Sequence, residues 1–292
     1  MGEPPGFRQR KADARLARMK RPLIALALLF AAVLALPGYA YLEARRDPVV
    51  REASISLPGW PADAAPVRVA LISDIHIGTS AMGPERLTRI VAQINALRPD
   101  LVVIAGDFIF GHGEGSAARI GPPMVGPLAG LKARLGVVAA LGNHDHWTGA
   151  AEVGALLHQA GITVVENSAV QRGPLAIGVV GDEFSRHANL PATVAAMQPL
   201  KGARVMLTHS PDIAPNLPAD VALLLAAHTH CGQVVLPLYG PIWDVSRYGN
   251  RYRCGIRREE GRTVVTTAGL GTSGGPFRLG APPDLWLLTL GK

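Results

Sequence analysis

Gly136-Val137-Val138-Ala139-Ala140-Leu141-Gly142-Asn143-His144-Asp145 joins an unbroken apolar run to an amide, an imidazole and a carboxylate, with one glycine between them. An apolar run this short, bounded by glycines, reads as a strand buried on both faces, the kind that parallel sheets use. Four other segments repeat the pattern. Val67–Ser73 leads into Asp74-Ile75-His76, and Leu101–Ala105 into Gly106-Asp107. Arg204–Thr208 leads into His209, and Val221–Ala227 into His228-Thr229-His230. Open α/β folds place their sites at the carboxyl ends of strands gathered on one sheet edge. Five loops that each bring a polar ligand to such an edge are hard to obtain by chance.

Between these blocks the chain alternates. Pro84 opens a helix whose apolar positions Leu87, Ile90, Val91, Ile94 and Leu97 follow helical spacing. Gly149–Ala160 reads as a second helix, with Ile162–Val165 and Leu175–Val180 as strands. The tail is β-rich, with candidate strands at Gln233–Leu238, Tyr252–Arg257, Thr263–Thr267 and Leu285–Leu290. Strand–helix alternation followed by mostly strands suggests a layered α/β protein with mixed sheets. About 250 residues follow the N-terminal apolar stretch, enough for one large core.

That stretch runs from Leu23 to Leu42 without a charge and follows seven basic residues between Arg8 and Arg21. The expected organisation is a basic head at 1–22, a membrane-spanning anchor at 23–42, a Pro-rich linker at 43–66 and a single domain at 67–292. Twenty apolar residues just suffice to cross a bilayer. The charge bias then puts the N-terminus in the cytoplasm and the domain outside, at the cell membrane. A cleaved signal with Gly38-Tyr39-Ala40 as its small-x-small site is the competing reading, and it also exports the domain. Of the formal charge of +7, residues 1–42 carry +5 and the rest only +2. A basic nucleic-acid-binding face across the domain is therefore not supported. Cys231 and Cys254 are the only cysteines; pairing is open, and Cys231 reads more readily as a small buried thiol.

Asp74, His76, Asp107, Asn143, His209, His228 and His230 make seven hard or borderline ligands, enough for two divalent ions about 3.5–4 Å apart. Mixed carboxylate and imidazole shells suit Mn, Fe and Zn, with Mg a further option. Each segment alone has a plain structural explanation. Asp-x-His is commonly a cap, Gly-Asp a turn, and a buried histidine a satisfied core residue. Their joint occurrence after strands is the signal.

In this order the motifs resemble the calcineurin-like metallophosphoesterase family, more closely its bacterial membrane-associated phosphodiesterase branch. The matching blocks run from Ser73-Asp-Ile-His-Ile-Gly78 to Gly269-Leu-Gly-Thr-Ser-Gly274 and Leu279-Gly280, about three quarters of the chain. The resemblance implies a four-layer α/β/β/α sandwich of two mixed sheets. It implies one metal on Asp74, His76, Asp107 and His230, and the other on Asp107, Asn143, His209 and His228. A hydroxide bridging the two would attack phosphorus in line. His144 would stabilise developing charge or protonate the leaving oxygen, and Asp145 could orient it.

The chain departs from the family pattern in three places. Gly106-Asp107-Phe108-Ile109-Phe110 lacks a second Asp, Ala227 stands where glycine is usual, and Cys231 follows His230. Ala227 requires a negative φ to avoid strain. Outside the motifs, His112 could touch substrate and His146 could support the site, while His158 and His187 read as surface residues. The basic, aromatic Arg247–Arg253 reads as a solvated hairpin or a contact for phosphate or lipid headgroups. Gly269–Gly280 is glycine-rich and could approach the metal edge.

The implied activity is a metal-dependent phosphodiesterase acting on a phosphoester, with a lipid-linked substrate among the options. Alternatives are a phosphomonoesterase, a UDP-diacylglucosamine-type pyrophosphatase, a nuclease, or a non-catalytic metal-binding envelope protein. The pyrophosphatase requires a cytoplasmic site, against the expected topology. The sequence does not set the oligomeric state.

Overall fold

The computed structural model describes residues 5–259 and 261–292, so the first four residues of the basic head lie outside the described residues. A six-stranded sheet is built from β1 (Val49–Ser56), β2 (Val67–Ile72), β3 (Leu101–Ala105), β4 (Val137–Ala140), β5 (Thr163–Val164) and the last strand, Asp284–Gly291. A second six-stranded sheet holds β6 (Ser168–Arg172), β7 (Leu175–Val179), β8 (Ala203–Leu207), β9 (Leu223–Ala226) and a hairpin near the C-terminus. Between β9 and that hairpin lies a small two-stranded ribbon of β10 (Val235–Leu236) and β11 (Gly240–Pro241). The hairpin is β12 (Gly255–Glu259) and β13 (Arg262–Thr266), and Asp284–Gly291 is β14. The strand orders are β1-β14-β2-β3-β4-β5 and β12-β13-β9-β8-β7-β6.

Alternation along the strands builds the layers. Val69, Leu71, Val103, Val138 and Ala140 point at Ile177, Val179, Val205, Leu207 and Leu225 of the facing sheet. Their neighbours Ala70, Ile72, Val102, Ile104 and Ala139 point the other way. There they meet helix α2 (Pro84–Ala96) through Leu87, Ile90 and Ile94, and helix α5 (Asn143–Gln159) through Val153 and Leu157. The short helices α3 (Ala117–Ile120) and α4 (Val125–Ala129) complete that layer. Met206, Leu224 and Val264 on the outer face of the second sheet pack against Met197 of α6 (Leu190–Met197) and the 3₁₀ turn Pro211–Asn216. The result is the expected α/β/β/α arrangement, with the central strands β2, β3, β4, β7, β8 and β9 buried on both faces and the edge strands β1, β6 and β12 partly exposed.

The expected membrane span is overturned. Among the described residues no helix is long and apolar enough to cross a membrane. Helix α1 (Pro5–Arg45) does run through the apolar stretch, but its C-terminal turns belong to the domain. Ala40 and Ala44 are buried there, Ala40 O accepts from Arg278 N at 2.9 Å, and the Tyr41 hydroxyl donates to Ser80 O. The apolar residues ahead of this docked segment, Leu23–Tyr39, number 17, or ~25 Å of helix against a hydrocarbon core of ~30 Å. The single-pass placement at the membrane loses this support.

Two local differences have clear causes. Val49–Ser56, within the stretch read as a linker, is β1, paired in parallel with β14 from the other end of the chain. A pairing across more than two hundred residues leaves no local signature. The helix expected from Gly149 begins at Asn143, and Gly149 interrupts it with φ 124°.

Candidate metal centre

All five ligand-bearing loops lie at the same end of the two sheets, and positive φ is concentrated in them. Asp74, His76, Asp107, His228 and His230 have φ between 48° and 71°. Such left-handed conformations cost of order 1 kcal/mol or more for residues with a Cβ and persist where the surroundings fix them. Ala227 is not among them; the positive φ falls on His228, His230 and Cys231. Gly106, at φ 84°, cannot be replaced, because a Cβ there would lie 2.6 Å from Gly142 N and 2.9 Å from His209 Nδ1.

The structure brings the seven expected residues together, all less than a tenth exposed. His76 Nε2 and His230 Nε2 are 3.2 Å apart, and Asp74 Oδ1 lies 3.3 Å from His230 Nε2 and 3.9 Å from His76 Nε2. Asp107 Oδ2 is 3.5 Å from His76 Nε2 and 3.2 Å from His209 Nε2. His209 Nε2 also lies 3.1 Å from Asn143 Oδ1 and 3.2 Å from His228 Nδ1. Asp107 thus stands between two donor groups.

These contacts fit cations better than hydrogen bonds. Asp74 Oδ1 is buried with no hydrogen-bond partner, although two imidazole nitrogens are close. Carboxylate oxygen, amide oxygen and imidazole lone pairs converge without enough protons to satisfy them. His209 Nδ1 lies 2.6 Å from Ala105 O; only an N–H can bond a carbonyl, so Nε2 is left as the ligand atom. Within Asp74, His76 and His230, and within Asp74, Asp107 and His209, ligand atoms all lie within 4.8 Å of one another.

Burial sets the protonation states. It pushes the Asp74 carboxyl up to about 7, with His209 acting against it, and His76 and His228 down to about 3. Burial also acts on Asp107, but His209 and His76 overcome it and hold the carboxyl well below its usual range. Burial opposes protonation of His209, yet Asp107 raises it.

His144 stands apart. Its Nδ1–H donates to Gly111 O at 2.7 Å, which leaves Nε2 facing the Ser273 hydroxyl at 3.2 Å. Burial lowers its pKa, with Asp107 opposing. Asp145 does not touch the His144 ring. Its carboxylate accepts from the N–H groups of Asp107, Phe108, Ile109 and Gly142, and so ties together the two loops that carry Asp107 and Asn143. Local sequence could not show this, because the acceptor is spent on backbone of another loop.

Three further residues meet at this edge, of which Gln233 and Arg278 were not anticipated. Ser273 lies in the glycine-rich stretch expected to approach the edge, and Gln233 holds it at both ends: Ser273 N donates to Gln233 Oε1 and Gln233 Nε2 to Ser273 O. Arg278 is fully buried and donates to the carbonyls of Ala268, Gly269, Gly271 and Ala281, with Nη2 3.4 Å from His230 Nδ1. Nothing in its neighbourhood in the sequence marks it.

Of the other histidines, His112 is exposed with its ring 4.7 Å from that of His144. His146 stacks on His187 at 3.6 Å and lies 2.9 Å from Glu166, away from the seven. Cys231 is no free thiol but is bonded to Cys254.

Two back-to-back mixed sheets with this donor set at their loop edge are the architecture of a metallophosphoesterase domain. The chain belongs to the calcineurin-like phosphoesterase family, whose model matches residues 67–232. It is 30% identical over 301 residues to a transmembrane protein with metallophosphoesterase domain from Danio rerio, covering 97% of this chain and 66% of that protein. It is 28% identical over 288 residues to the Bos taurus protein of the same name, covering 91% and 62%. Phosphodiesterase YaeI of Escherichia coli K12 is 30% identical over 244 residues, covering 78% of this chain and 83% of that protein. The chain thus spans under two thirds of the length of the two vertebrate relatives.

Proposed function

We propose that this protein is a two-metal phosphodiesterase. The observation that carries the reading is Asp107 Oδ2, within 3.5 Å of imidazole nitrogens from both donor groups. Asp74, His76, Asp107 and His230 would hold one ion, and Asp107, Asn143, His209 and His228 the other. Bound there, the ions supply Lewis acidity and an activated water. Mn, Fe or Zn suits the donor set best.

The chain's own groups do the rest. His144, its Nδ1–H locked on Gly111 O, presents Nε2 to the cavity as the atom that takes up and delivers the leaving oxygen's proton. Asp145 fixes the Asp107 and Asn143 loops relative to each other. The name of the Escherichia coli relative favours a diester over a monoester. The Cys231–Cys254 disulfide supports an oxidising compartment for the domain.

The test is to strip the full-length protein of metal, return Mn²⁺, and compare bis(p-nitrophenyl) phosphate with p-nitrophenyl phosphate, with His144→Ala alongside. Metal-dependent diester hydrolysis that falls roughly 10²-fold in His144→Ala, with metal content intact, is expected. Preference for the monoester, or turnover unchanged in His144→Ala, would refute the reading.

A further inference from the structure

The cavity that opens onto Asp107, Asn143, His144, His228 and His230 has a volume of about 400 Å³, and part of its wall is apolar. That apolar wall is Val234, Trp243, Val245 and Phe277. Trp243 is 76% exposed and Phe277 40%, although both face a cavity that leads to the donor cluster. Leu238 and Tyr239, in the turn between β10 and β11, are the most exposed large apolar side chains among the described residues of the domain. Exposed aromatic and aliphatic side chains beside a cavity mark a surface that takes a ligand or partner.

The charges around the wall narrow the choice. Arg247 pairs with Glu183 and Asp212, Arg251 with Glu259, and Arg253 with Asp244, so the basic segment next to the wall is already neutralised. The wall therefore selects an uncharged apolar group and not an anionic one. Its continuity with the donor cluster makes that group part of the molecule that enters the site.

Resting on the phosphodiesterase reading, we propose that the substrate is an amphiphilic phosphoester. Its hydrocarbon chain lies along Val234, Trp243, Val245 and Phe277 and leaves over Leu238 and Tyr239, while its phosphate sits among the histidines. The wall gives specificity for a chain, and the donor cluster gives the chemistry.

Two measurements on the full-length, Mn²⁺-loaded protein test this. The first compares p-nitrophenyl methyl, butyl and octyl phosphates below their micelle concentrations. kcat/KM is expected to rise about fourfold per added methylene until the wall is covered. Trp243→Ala and Phe277→Ala should flatten that slope. A flat slope in the wild type, with the methyl ester hydrolysed, overturns the wall and leaves the phosphodiesterase intact. The second follows Trp243 emission on adding octyl phosphate or methyl phosphate, a readout independent of turnover. A blue shift with octyl phosphate alone, lost in Trp243→Phe, is expected; the same response to both refutes the chain site even if no ester is hydrolysed. Failure to hydrolyse the methyl ester counts against the phosphodiesterase reading alone.

Discussion

At the scale of single residues, Asp107 is the position where charge matters most, since among the described residues it is the only carboxylate within 3.5 Å of both imidazole groups. Asp107→Asn keeps the shape and removes the anion, so the variant should retain at most one Mn²⁺ per chain where the wild type is expected to take two. Elemental analysis after desalting decides this, and two ions retained would refute the bridge. Protons compete for the same oxygens. Burial pushes Asp74 up to about 7, so its carboxyl must give up a proton to bind metal at or below that pH. His76 and His228, held near 3, are already neutral throughout the neutral range and add no competition. Mn²⁺ affinity should therefore fall as the pH drops, from the proton on Asp74 below about 7 and, at higher pH as well, from the proton that Asp107 stabilises on His209. Titration calorimetry at pH 6, 7 and 8 measures the slope; equal affinity at 6 and 8 would show Asp74 ionised throughout.

At the scale of elements, the end of α1 depends on one side chain. Arg86 of α2 donates to Arg45 O and Arg46 O, carbonyls that the helix terminus leaves without partners, and to Leu270 O in the loop against Asp74. Leu270 N in turn donates to Ser73 O, and Gly271 N to Asp74 O. Arg86→Met keeps the apolar stem and orphans these carbonyls, and should cost on the order of 2–3 kcal/mol in urea unfolding. It should also expose the Ala40–Arg46 segment to protease before the domain unfolds; an unchanged digestion pattern would show that Tyr41 and Arg278 hold the helix unaided. This junction also marks where the sequence stopped being legible. The strands β2, β3, β4 and β7 to β9 could be read because burial on both faces makes them short apolar runs, and the candidate ligands could be placed together because each follows such a run. β1, the docking of α1 and the place of Arg278 could not, because each rests on a partner far along the chain. The Asn143 helix start was obscured by Gly149, whose positive φ breaks the helical pattern that began six residues earlier.

At the scale of the whole molecule, the donor cluster is assembled from both sheets, so anything that lets the sheets shift loosens the site. Asp74, Asp107 and Asn143 come from the loops of the first sheet, and His209, His228 and His230 from the second. The core between the sheets holds the two halves together. The disulfide adds a restraint at the point of greatest consequence, since Cys231 directly follows His230 and bonds to Cys254 at the start of the β12–β13 hairpin. Closing a loop with a sequence separation of 23 removes chain entropy from the unfolded state worth about 3 kcal/mol. In a domain of this size that corresponds to roughly 6–12 °C in Tm. A reductant should therefore lower Tm by that amount in the wild type and leave Cys254→Ser, already shifted, where it is. The Thr229 hydroxyl still donates to Arg253 O at 2.6 Å without the bridge, so the reduced protein should stay folded at 25 °C and bind metal more weakly, with faster exchange at the His230 ion. An equal Tm with and without reductant would mean that the bridge does not form in solution. A lower Tm with unchanged metal release would mean that the β9 loop holds His230 on its own.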